Sequence, residues 1–408
     1  LNNQISAVQY TIQHINIEPL ADQIRWVEPR YFQTGVITNK EGLEGHDGGL
    51  IAYATTGSSM IRLINRKGEK VFSWGRSYSE IFDNQDHLMT IDTLEDKHFY
   101  ARDFHIYPDG SIIIDIQAAG LTPWGAGLVK LDSSSDIVWS IPGFFYNDFE
   151  IDPNNGKIYA LNHVIREQDF AYETGVPINA PYISDIISVL SPDGEIEKEI
   201  DIMDALAASN FHNILREAER TPSGDVLHTN SIYIFDRVYT GAPWARPGNA
   251  ILSLRNIDAF AVINLETEEI LFASILPAKM QHDIDWLSAD GEGALRLFDN
   301  RGNAFGPGYS RIITLHPITM GLRDIYSGEI GAPLESEFWG FVQTLDNKHI
   351  LSGVPEHSRI FEIDERKKLV WEYIIEETDP DTKTLRPVVV GAKHYKADYF
   401  KFFNFSVD

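Results

Sequence analysis

Cysteine is absent from all 408 residues, and methionine occurs only five times. Disulfides, thiolate metal sites and cysteine nucleophiles are therefore excluded. Basic residues are also scarce, with 34 Lys and Arg against 60 Asp and Glu and a formal net charge of −26. Such a charge argues against nucleic acid or an anionic membrane as partner. An anionic small molecule would have to be drawn in by a locally basic site. No apolar run approaches the length of a membrane span, so no transmembrane segment is expected in this chain. Its start, "LNNQ", carries no signal-like pattern, and it reads as trimmed, with any export or anchoring segment expected upstream. No glycine-rich phosphate loop, G-x-S-x-G elbow or H-E-x-x-H pattern occurs.

Aromatic residues are abundant: 17 Tyr, 22 Phe and 8 Trp favour strands over helices. They fall in a repeat. "ARDFHIYPDGSIIIDIQ", "YNDFEIDPNNGKIYALNH", "AERTPSGDVLHTNSIYIF", "QHDIDWLSADGEGALRLFDN" and "WGFVQTLDNKHILSG" share an apolar alternation, a Gly or Asn turn and a second apolar strand. "HDGGLIAYATT" is a degenerate copy. Hairpins of the type "INRKGEKVFSW" and "IDERKKLVW" follow each unit. The units span about 46–75, 98–141, 145–200, 215–275, 280–328 and 338–374, and two hairpins per unit make one propeller blade.

The expected fold is all-β, a six-bladed β-propeller with one or two peripheral helices; a β-sandwich with an extra sheet is the alternative. Residues 1–45 would form an N-terminal extension on the ring, 46–375 the propeller, and 376–408 a closing segment. One short helix is expected around "SAVQYTIQHI", and a longer one over 201–220, with Ile202, Leu206, Phe211 and Leu215 on one side.

The innermost strand of each blade lines the channel, so equivalent positions form a ring. Alignment places Arg102, Asn147, His228, His282 and Gly340 together, with His228 and Asn230 on one face of their strand. The following strands supply Gln117, Asn162 or His163, Arg255 with Asn256, Asn300 with Arg301, and His357. Polar and basic residues at such places are costly without water or ligand. A zinc site of His228, His282 and a third histidine is thinkable, but the interleaved arginines would repel a cation. The Asp- and Asn-rich turns serve their own backbone rather than calcium. Neither a metal nor another cofactor is expected.

The segments "DVLHTNSIYIF", "ILSLRNIDAFAVINLETEEILF", "QHDIDWL", "LRLFDNRGN", "YSRI" and "RIFEIDERKKLVWEY" occur in an order that resembles the PAPS-independent arylsulfotransferases, with the block 222–375 the most specific. The resemblance implies a six-bladed propeller that moves a sulfuryl group from an aryl sulfate ester to a phenol acceptor through a sulfurylated histidine. It also implies an exported protein, periplasmic or at the cell surface. His228, His282 and Arg301 would then be catalytic and His357 the candidate nucleophile. Arg255, Asn300, Asn230, Tyr146, Asn147 and Arg102 would bind substrate. Imidazole suits this chemistry near neutral pH, and a guanidinium matches sulfate oxygens.

One departure stands out: Tyr146-Asn147-Asp148 occupies the place where the family is expected to carry His-His-Asp. Tyr146 could replace the histidine only with a lowered pKa. Two other readings follow: eliminative cleavage of an anionic polysaccharide by His, Tyr and Arg, or a non-catalytic ligand-binding propeller.

Overall fold

The computed structural model describes residues 25–39, 49–90, 93–171, 178–220, 224–287 and 293–403. Six antiparallel sheets surround a central channel. Blade two runs from inside to outside as Phe99–Ile106, Ile112–Ala118, Gly125–Leu131 and Ile137–Ile141. Blade three begins at Phe145–Ile151, blade four at Thr229–Ile234, blade five at His282–Leu287 and blade six at Val342–Thr344. Blade one takes its innermost strand from the far end of the chain. Val389–Tyr395 pairs with Leu50–Thr55, which is followed by Ile61–Ile64 and Lys70–Trp74. At the other seam, Gly35–Asn39 joins blade six as a fifth, outermost strand against Leu369–Ile374.

Middle strands are buried on both faces, because each blade packs between two others. All nine residues of Tyr182–Leu190 and all six of Leu50–Thr55 are buried, which explains their near-continuous apolar runs. Outer strands such as Ile137–Ile141 are partly exposed. Neighbouring blades are also clasped at the channel. Asp148 accepts the Ile232 N–H at 2.8 Å, Ser231 Oγ that of Ile284 at 2.9 Å, and Gln343 Oε1 that of His394 at 2.6 Å. Each clasp satisfies a backbone donor that the sheet leaves over.

The expected long helix over 201–220 is broken. Ile202–Ala207 is helical, capped by Asp201, whose carboxylate accepts the Met203 and Asp204 N–H groups. Ser209 then ends the helix, since its hydroxyl bonds the Leu206 carbonyl and accepts from the Phe211 N–H. The chain continues as a 3-10 turn over His212–Arg220. The helix expected around "SAVQYTIQHI" lies outside the described residues.

Candidate functional site

The innermost strands are irregular where they meet the channel. Register breaks fall between Ala101 and Asp103, between Phe145 and Phe149, between Thr229 and Ser231, and between His282 and Asp285. Asn147, His228 and Asp283 have φ of 64°, 51° and 53°. Bulges of this kind re-aim side chains, and here they turn polar residues inward around the axis.

The channel holds two cavities. One of about 380 Å³ is lined by His228, His282, Arg255, Asn147 and Asn256, with Tyr100, Trp124, Phe338 and Trp339 as aromatic wall. Asp225, Glu356 and Gln117 complete its polar side. A second cavity, about 210 Å³, adjoins it and carries Arg102, Asp103, Asp148, Glu150, Asn230, Asp283 and Lys393. Asn147 and His282 line both, so they form the waist between an aromatic chamber and an acidic throat.

Both histidines of the chamber are held by Nδ1. His228 Nδ1 lies 2.5 Å from Asp225 Oδ2. His282 Nδ1 lies 2.8 Å from Asn300 Oδ1 and 3.1 Å from the Met280 carbonyl. Acceptors at Nδ1 fix the tautomer with Nδ1 protonated and leave Nε2 for other work. Burial, with help from Arg255 and Arg102, drives the His282 pKa well below its ordinary value, so the ring is neutral. Burial likewise lowers the Arg255 pKa. That side chain gives one hydrogen bond to Asn256 Oδ1 at 3.0 Å, while its buried Nε has no partner. A half-used guanidinium in an apolar chamber is a ready anion ligand.

Not every expected residue reaches the chamber. Asn300 is fully buried beneath His282, and its amide donates to the Ser336 and Trp339 carbonyls; it orients the ring rather than meeting a ligand. Arg301 sits at the rim, partly exposed, in an ion pair with Glu337. Asn230 and Arg102 face the second cavity, where Asn230 donates to the Gln281 carbonyl and Arg102 to the Val390 carbonyl. Tyr146 is 1% exposed and stacks on His163 at 3.5 Å between centroids. The turn at Asn147 sends that amide inward and Tyr146 outward into the apolar core. Burial and the nearby Asp185 and Asp225 push the Tyr146 pKa up, not down, so it cannot replace a histidine in proton transfer.

His357 is absent from the chamber because of a local repeat. The turns Arg255–Ile257 and Pro355–His357 are both 3-10 and both end in a left-handed residue, Asp258 and Ser358. Asn256 and Glu356 share the middle position and both line the chamber. His357 falls at the position of Ile257, which is buried in the core, and packs edge-on against Tyr31. The residues that sequence reasoning missed are Asp225, Glu356 and the aromatic wall. Asp225 was within reach, since "DVLH" sets it three residues before His228.

Among solved structures, one shares the fold. The crystal structure of a protein of unknown function from Bacteroides caccae superposes with a TM-score of 0.50 at 12% identity, covering 84% of this chain and 99% of that one. Virginiamycin B lyase from Staphylococcus aureus gives 0.41 at 13%, covering 85% and 90%. At these identities the first likeness speaks for the fold alone. No curated protein sequence matches the chain significantly. The sequence pattern of the arylsulfotransferase (ASST) family matches residues 105–376, two-thirds of the chain, taking in blades three to six and most of blade two. The chain belongs to the arylsulfotransferase (ASST) family.

Proposed function

We propose that the aromatic chamber transfers a sulfuryl group between phenols, with His282 as the nucleophile and His228 as the proton carrier. The observation that carries this reading is the matched anchoring of the two rings, with Nδ1 tied to Asn300 in one and to Asp225 in the other. Nε2 of neutral His282 attacks sulfur; the N–S bond forms as the bond from sulfur to the aryl oxygen breaks. His228 enters the cycle carrying a proton on each ring nitrogen, its Nδ1–H held by the Asp225 carboxylate, and the departing aryl oxide takes the Nε2 proton. In the second half, an acceptor phenol returns a proton to His228 while its oxygen attacks sulfur and releases His282. Arg255 and the Asn147 amide stabilise the sulfuryl oxygens, and Trp124, Trp339 and Phe338 hold the aryl ring.

His282 is preferred over His357 because His357 does not line the chamber. The lyase reading loses the feature that motivated it, since Tyr146 is fully buried, is not among the residues lining the chamber and has its pKa raised. By family resemblance the enzyme acts outside the cytoplasm; among the described residues no helix is long and apolar enough to cross a membrane.

The test is incubation with 4-nitrophenyl sulfate and a phenol acceptor, following nitrophenol release. Wild type should turn over, and a sulfurylated peptide containing His282 should be trapped when acceptor is withheld. Wild-type release no faster than that of His282→Ala would sink the reading.

A further inference from the structure

Behind the chamber lies a cluster from which the transfer reaction uses only Asp225, the anchor of His228. His163 is 2% exposed and Asp185 fully buried, and both lie close to Asp225. One donor atom from each of the three lies within 4.8 Å of the others. His163 Nε2 and Asp185 Oδ1 are 3.4 Å apart. That distance is long for a hydrogen bond, and neither His163 ring nitrogen has a hydrogen-bond partner. It does match the edge of a ligand tetrahedron, roughly 3.3–3.4 Å for bonds of about 2.0–2.1 Å. Asp185 Oδ1 and Thr229 Oγ1 around the same point are likewise buried without a well-formed hydrogen bond, the Tyr146 hydroxyl being the polar group beside them. Orphaned buried polar atoms are individually expensive and rare.

We propose that His163, Asp185 and Asp225 bind one divalent transition-metal ion of the zinc class, immediately behind His228. Charge supports the assignment in that the two carboxylates offset the charge of a dication. Among the described residues, His163 is the sole ion-pair partner of Asp185. Donor chemistry selects the ion: an imidazole with carboxylates suits zinc, whereas calcium and magnesium favour oxygen alone. The site is also framed. Asp185 Oδ2 accepts the Thr229 N–H at 2.6 Å, and Tyr146 covers the His163 ring. Asp225 lines the chamber, which gives an ion its route in. Its Oδ2 holds His228, so the same carboxylate joins the bound ion to a ring of the transfer site.

Metal content measures this independently of sulfuryl transfer. Wild-type protein stripped with a chelator, reloaded with zinc and dialysed should hold about one zinc per chain by elemental analysis. Loading with cobalt(II) should give the visible d–d bands of a four-coordinate site with a nitrogen ligand. His163→Ala and Asp185→Asn, checked for folding by circular dichroism, should each lower metal affinity by about tenfold or more. His282→Ala should keep the metal while losing transfer, so the two readings fail separately. Wild type without stoichiometric zinc or cobalt overturns the site by itself, whatever the variants do. Equal retention by folded His163→Ala overturns it too.

Discussion

Asn300 Oδ1 sits 2.8 Å from His282 Nδ1, and the same amide donates to the Ser336 and Trp339 carbonyls at 3.0 and 2.7 Å. Three hydrogen bonds thus hold one ring orientation. His282→Ala should abolish transfer. Asn300→Ala should lower kcat by about a hundredfold with little change in KM, because the ring remains but its tautomer and angle are no longer fixed. It should also cost about 1–3 kcal/mol of stability through the carbonyls it leaves unpaired. Steady-state kinetics and chemical denaturation measure the two effects.

Glu356 should make the protein less stable in base. Burial raises its pKa from 4.5 to about 7. The unfolded chain ionises this group first, so between those values the folded state binds more protons and stability falls as pH rises. Glu356→Gln should remove that slope. Thermal melts at about pH 5 and about pH 8 should show the variant gaining on wild type at the higher pH. Glu150, pushed up to about 7 by burial in the acidic throat, acts in the same direction.

Histidines give the opposite limb. Burial lowers the pKa of His357 from 6.5 to about 4, with Arg30 and Arg359 assisting. Below 6.5 the unfolded state takes up a proton that the folded state refuses, so stability falls as the solution is acidified toward 4. His357→Gln should flatten this limb and leave sulfuryl transfer unchanged, as read by melts across the acid range and by nitrophenol release. Loss of transfer in a folded variant would return His357 to the list of candidate nucleophiles.

Trp124 stands edge-on to His228, with ring centroids 4.9 Å apart, and forms part of the aryl-binding wall. Trp124→Ala should raise KM for aryl sulfates about tenfold, the equivalent of an aromatic contact of about 1–1.5 kcal/mol. Its effect should be much smaller on a short alkyl sulfate, which cannot use the ring face. Competition between the two donors is the measurement.

The propeller was legible because each blade repeats the same apolar period, and His228 and His282 stand at matching points of two copies. Bulges were not legible. An alternation rule treats Tyr146 and Asn147 as an ordinary pair of neighbours, whereas the left-handed φ of Asn147 decides which of them meets the channel. Asn300 and Arg301 were likewise adjacent letters with different fates, one beneath a histidine and the other at the rim. The shared geometry of the turns at 255–257 and 355–357 explains why a carboxyl, not the neighbouring imidazole, entered the chamber. Trp124, Phe338 and Trp339 sit outside the repeated strands, where periodicity carries no information.

The pairing of Leu50–Thr55 with Val389–Tyr395 sets an order of events during synthesis. The chain leaves the ribosome N-terminus first, so blade one must wait some 330 residues for its innermost strand. Until then Leu50–Thr55, buried along its whole length in the finished ring, presents an unpaired apolar edge to other chains. Arg102 waits 288 residues for the Val390 carbonyl that holds it. Nascent chains stalled before residue 389 should therefore depend on a chaperone. Arrival of Val389–Tyr395 completes the channel wall, so ring closure and completion of the second cavity become a single event.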